Sequence, residues 1–131
     1  MVRTLLTMAA VMVAGPAAAT DDPLTAYRWK ARVVVIASPS ADDPHLMQQR
    51  ATFSAMPSGL RERDIVVVEA VGDGEEARRW RARLGLPKAA FRVVLVGKDG
   101  EVKRSEARPL SAETLFETID AMPMRRDEMR R

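Results

Sequence analysis

Ser40, Asp42, Asp43 and His45, the only histidine in the chain, follow closely on the apolar run Val33 to Ala37. Glu69 and Asp73 end or follow a second apolar run, Ile65 to Val68, and Lys88 stands further on. Carboxylates with one imidazole are groups that hold a divalent cation or exchange a proton. Each also has a commoner structural duty. Asp43 before Pro44 suits a helix N-cap, Asp42 favours the positive end of that helix, His45 sits in its first turn, and Asp73 between two glycines makes a turn. Glu69 is the most informative of them, because a carboxylate ending an apolar strand is more often paired than left alone. No residue is therefore assigned as catalytic or metal-ligating, and no cofactor is implied. Ser40, Asp42, Asp43 and Glu69, with Lys88, are the candidate binding residues, in preference to the Lys98-Asp99-Gly100 turn.

The residue types also exclude chemistry. Among 131 residues, 47% hydrophobic and 30% charged, there is no cysteine. That removes thiol peroxidases, disulfide oxidoreductases, thiolate zinc sites and iron–sulfur clusters, each of which needs a sulfur nucleophile or ligand. Arginines crowd two places, Arg78, Arg79, Arg81 and Arg83 in one and Arg125, Arg126, Arg130 and Arg131 in the other. Asp127 and Glu128 interrupt the second group and stacking aromatics are few, so solvated helix faces account for these runs better than nucleic acid does. Trp80 reads as core. Trp29, between Arg28 and Lys30, is placed to pack on a sheet edge or stack with a guanidinium.

Three apolar runs must position these groups. Arg32 to Ala37, ended by Ser38-Pro39-Ser40, is continuous rather than alternating and predicts a parallel strand covered on both faces. Asp64 to Val71, closed by Gly72-Asp73-Gly74, predicts a second strand of the same buried character. Phe91 to Val96 meets Gly97-Lys98-Asp99-Gly100 and then Glu101 to Arg104, a hairpin with an Asp-Gly turn and a polar edge strand. One helix is predicted from Asp43 with Leu46, Phe53, Met56 and Leu60 inward. A second over Glu75 to Leu84 carries Ala77, Trp80 and Leu84 on one stripe, with Glu75 and Arg79 paired one turn apart. A third runs from about Ser111 with Leu115, Phe116 and Ile119 inward, and Pro123 breaks it ahead of a polar tail that frays. The order β-α-β-α-β-β-α predicts a three-layer α/β domain with a four-stranded mixed sheet. Its strand order is second, first, third, fourth, with the hairpin strands antiparallel to the first two.

Residues 1–19 read as a secretory signal peptide: Arg3, an uncharged run from Thr4 to Gly15, then Pro16 and small residues at Ala17 and Ala19. The run is too short for a membrane-spanning helix, and no later segment spans a bilayer. Cleavage after Ala19 leaves residues 20–131 as a single, nearly neutral domain, periplasmic or secreted.

Tyr27-Arg28-Trp29-Lys30-Ala31-Arg32, Val96-Gly97-Lys98-Asp99-Gly100 and Ile119-Asp120-Ala121-Met122-Pro123-Met124-Arg125-Arg126 carry a resemblance. The chain resembles bacterial proteins that carry a domain of unknown function, itself similar to the peroxiredoxin-like P-DUDES domain of vertebrate sushi-repeat and coiled-coil-containing extracellular-matrix proteins. The resemblance covers the chain beyond the leader, and the Met-Pro-Met-Arg-Arg run is its most specific part. It implies a thioredoxin-like fold and no known activity. Thiol enzymes of that fold place a reactive cysteine after the first strand, where a helix N-terminus stabilises a thiolate. Ser38 to Pro44 occupies that place here, and a hydroxyl cannot replace a thiolate in redox chemistry. The expectation is a non-catalytic module of the cell envelope that binds a protein or small ligand. The alternative is a non-thiol enzyme or metal-binding protein using the carboxylates.

Overall fold

A computed structural model describes residues 22–131; the leader expected at residues 1–19 lies outside them. The elements are β1 (Arg32–Ser38), α1 (Pro44–Ser54), α2 (Pro57–Glu62), β2 (Ile65–Val71), α3 (Glu75–Leu84), β3 (Arg92–Val96), β4 (Val102–Glu106), α4 (Ala112–Asp120) and α5 (Pro123–Arg130). The strands form one mixed sheet in the order β2-β1-β3-β4. All seven β1 residues are buried, as its unbroken apolar run requires of a strand flanked and covered on both faces. β2 pairs with it in parallel and β3 antiparallel.

Side chains alternate across the pleat and divide the core in two. Val34 and Ile36 join Leu46 and Phe53 of α1 and Leu115 and Ile119 of α4 on one face. Val33 and Val35 join Leu24, Ala77 and Trp80 on the other. The three-layer α/β arrangement is thus the one the element order predicts.

Four local readings differ from the sequence pattern. β2 is only half-buried, because it is an edge strand and lacks a neighbour on one side. The hairpin strands do not share a direction: β3 runs against β1, and β4, antiparallel to β3, runs with it. The single helix expected across residues 43–60 is two helices. Pro57 lacks the N–H a continuing turn would need and instead opens α2, leaving Met56 at the break outside the core. The tail does not fray. It folds as α5, with Pro123 in its first turn and Arg125 buried.

Candidate functional site

The C-terminal end of β1 holds the residues the sequence singled out, and most of them serve local structure. The Asp43 carboxylate accepts the His45 backbone N–H at 2.9 Å and caps α1, while its other oxygen lies 2.9 Å from the Ser38 hydroxyl. The Ser40 hydroxyl donates to Asp42 at 2.6 Å. Glu69 finds the partner its position demanded: Arg50 of α1 donates to both its oxygens, at 2.6 and 2.8 Å. Those bonds from Arg50 outweigh partial burial and hold the Glu69 carboxyl below its ordinary value. A carboxylate kept ionised in this way is a poor proton donor. Lys88 is exposed, 3.7 Å from Asp73. Among the described residues no group of three or more His, Asp or Glu side chains converges on a metal position.

Beneath this end lies a residue that sequence reasoning placed on a solvated face. Arg81 of α3 is 6% exposed, and its guanidinium donates to the Ser38 carbonyl at 2.9 Å and the Ala70 carbonyl at 3.3 Å. It ties the ends of β1 and β2 together. Its neighbour Arg79 bonds Glu76 at 2.7 Å, three residues away on the same helix.

The opposite end of the sheet carries a cavity of about 570 Å³. Its wall is drawn from the turn before β1 (Trp29, with Arg32 of the strand itself), from the β3–β4 hairpin (Gly97, Lys98, Asp99, with Lys103), and from the α4–α5 junction (Thr118 and Ala121 to Met124). Apart from Lys103 and Thr118, the wall falls within the three stretches that carry the resemblance, brought together by topology. β3 runs against β1, so the hairpin turn lies beside the N-terminal end of β1.

Trp29 has a φ of 67°, a left-handed conformation unusual for a bulky residue. Its backbone N–H donates to the Lys98 carbonyl at 2.7 Å, which holds it there. The side chain stays 63% exposed beside the cavity, neither packed on a sheet edge nor buried in a stack. A Cβ at Gly97 would lie 2.7 Å from Lys103 Cε, so the lysine side chain packs directly on the Gly97 backbone and would have to shift to admit a larger residue.

Two cations form the buried part of the wall. Arg32 is 1% exposed and Lys98 9%. One carboxylate, Glu128 of α5, serves both: it accepts from Arg32 at 3.2 and 3.3 Å and from Lys98 at 2.7 Å. Lys98 also donates to Asp64 at 2.8 Å. Burial pushes the Glu128 carboxyl upward, and the bonds from Lys98 and Arg32 overcome it, so the group rests below its ordinary value. Arg125 anchors the same helix by donating to Asp120 at 3.0 Å and Glu62 at 2.9 Å. Asp120 also takes both ends of a fork from Arg63, whose bonds lead in holding its carboxyl low. In the sequence the tail that carries Arg125 and Glu128 reads as solvated charge, Arg32 as the start of a strand and Lys98 as part of a turn. The usable signal was the clustering of Arg32, Lys98 and the Met-Pro-Met-Arg-Arg run within the three resembling stretches.

The chain matches the family described as "Domain of unknown function (DUF4174)" over residues 23–128. It is 27% identical over 133 aligned residues to coiled-coil domain-containing protein 80 of Danio rerio, covering 81% of this chain and 15% of that protein. To sushi repeat-containing protein SRPX of Homo sapiens it is 29% identical over 120 residues, covering 81% and 26%. To SRPX2 of Xenopus laevis it is 26% identical over 105 residues, covering 70% and 23%. The chain thus spans about a quarter or less of the length of these relatives. In fold it is similar to the reduced 2-Cys peroxiredoxin of Plasmodium vivax, with a TM-score of 0.56 and 14% identity over 79% of this chain and 84% of that one. The architecture is therefore thioredoxin-like, without the cysteine on which thiol chemistry depends.

Proposed function

The chain belongs to the DUF4174 family, and on that premise we propose that it is an exported, non-catalytic binding module of the cell envelope whose ligand site is the cavity beside Trp29. One observation carries the reading: a cavity of about 570 Å³ with an apolar rim, Trp29, Met122, Pro123 and Met124, over a few fixed polar groups. That is the size and composition small-ligand sites have. Export is supported by Arg3, the uncharged run to Gly15 and the Ala17/Ala19 pattern. Among the described residues no helix is long and apolar enough to cross a membrane.

The test is uptake of a neutral apolar fluorophore, N-phenylnaphthylamine, by the purified chain. Enhanced emission that saturates at one equivalent and is lost in Trp29→Gly supports the site. Emission unchanged by that substitution removes the cavity from consideration. Expression with the leader intact should yield periplasmic protein beginning at Thr20. Membrane-bound protein retaining residues 1–19 contradicts export.

The sheet mouth is the second candidate surface, supported by its position at the C-terminal ends of β1 and β2, where α/β folds commonly take ligands. There Ser40, Asp42, Asp43, Glu69 and Lys88 would make the contacts. The cavity is preferred because Asp43 and Glu69 already spend their oxygens on the α1 cap and on Arg50.

A further inference from the structure

Independently of the cavity, we infer that the open edge of β2 is an interface for a second copy of this chain. The two β2 strands pair antiparallel about a two-fold axis at Val68 and join two four-stranded sheets into one. The edges of the sheet are built differently. β4 carries features that keep an edge from pairing, Lys103 and Arg104 within it and a register shift against β3 at Leu95/Val96. β2 has neither lysine nor proline, holds unbroken register with β1, and is aliphatic apart from Glu69.

Parallel pairing divides the backbone groups of β2. The Arg32 N–H donates to the Asp64 carbonyl at 2.8 Å and the Gly72 N–H to the Ser38 carbonyl at 3.1 Å, so Asp64 and Gly72 face β1. Alternation along the ladder turns Val66, Val68 and Ala70 the same way, and turns the N–H and C=O of Ile65, Val67, Glu69 and Val71 outward. Among the described residues no strand lies on that side to bond them. Such an edge is a template for another strand, and this one is complementary to itself. With Val68 opposite its own copy, all seven residues pair: Ile65 with Val71, Val66 with Ala70, and Val67 with the stem of Glu69. Centring on Glu69 would instead set two carboxylates face to face, and centring on Val67 would set Val71 against Arg63. In the Val68 register the two Glu69 residues are diagonal neighbours, and each brings Arg50, which donates to it at 2.6 and 2.8 Å. Two carboxylates and two guanidiniums then share one face without excess charge. One strand pair is a small interface, so concentration controls the dimer.

Sedimentation equilibrium of the purified chain between about 5 and about 500 µM should show a reversible rise toward twice the monomer mass. Val67→Pro should stay monomeric with its circular dichroism intact, because it removes an N–H that β1 does not use. A single added cysteine reads the register, since the chain has none of its own. Val68→Cys should oxidise to a disulfide-linked dimer, its two copies forming a non-hydrogen-bonded pair with Cα atoms about 4.5 Å apart, within disulfide reach. Val66→Cys, which faces Ala70 of the second copy, should not. Monomer throughout the concentration range overturns the inference, as does a dimer indifferent to Val67→Pro or equal cross-linking by the two cysteine variants. Should Val67→Pro fail to fold, the cysteine variants decide alone.

Discussion

Trp29 holds a left-handed backbone that costs an L-residue roughly 1–2 kcal/mol, and its indole is mostly in solvent. Burial does little to offset the strain, so the side chain is the feature with the least structural reason to be there. Trp29→Gly should relieve the strain while adding unfolded-state entropy, changing stability by less than about 1 kcal/mol in chemical denaturation. Probe binding should nonetheless disappear, and a large loss of stability would make Trp29 structural. Glu128 is the reverse case. Glu128→Gln leaves Arg32 and Lys98 inside the protein without their shared anion, and about 2–3 kcal/mol of stability should go with it. By contrast Asp42→Ala and Glu69→Gln, on largely exposed groups, should each cost about 1 kcal/mol or less and leave probe binding intact. At this scale the sequence was legible where a residue's duty is local. Asp43 before Pro44 announces a cap, whereas the Glu128 contacts with Arg32 and Lys98 span 96 and 30 residues and leave no local trace.

Helices and strands were legible where the pattern was uninterrupted. α3 has the span its apolar stripe and Gly85 predict, with Gly85 in the left-handed conformation of a helix C-cap. The interval around Pro57 and the stretch after Pro123 were less legible, because proline both ends a helix and opens the next one. In α5 the apolar signal is weak, and ion pairs dock the helix instead. Its attachment should therefore be acid-labile. Glu128 and Asp120 are held below their ordinary values in the folded chain. Their contribution is complete above the ordinary carboxylate range and drains away as pH falls through that range toward the lowered folded values. The urea midpoint should drop between about pH 6 and pH 3, and less so in Glu128→Gln. A midpoint flat across that interval would show that α5 is held by something other than these charges. Hydrogen exchange should report α5 opening before β1 and β3 do.

For the whole molecule, strand order followed from alternating apolar runs and right-handed crossovers, and the resemblance agreed with it, whereas α2, α5 and the direction of β4 did not follow. The cavity did not follow, since it is made where three distant stretches meet and none of them has a binding motif of its own. The fold invites attention to the C-terminal end of β1, where thiol relatives of this architecture do their chemistry. Here that end is filled by Arg81, the α1 cap and the Arg50–Glu69 pair. The opposite end has the open volume and the exposed indole. The most direct test of this inversion is amide and indole chemical-shift mapping of the isotope-labelled chain during titration with N-phenylnaphthylamine. Shifts concentrated at the Trp29 indole, Gly97, Lys98 and residues 121–124 are the predicted result; shifts concentrated at residues 38–45 and 69–74, with the Trp29 indole unmoved, would contradict it.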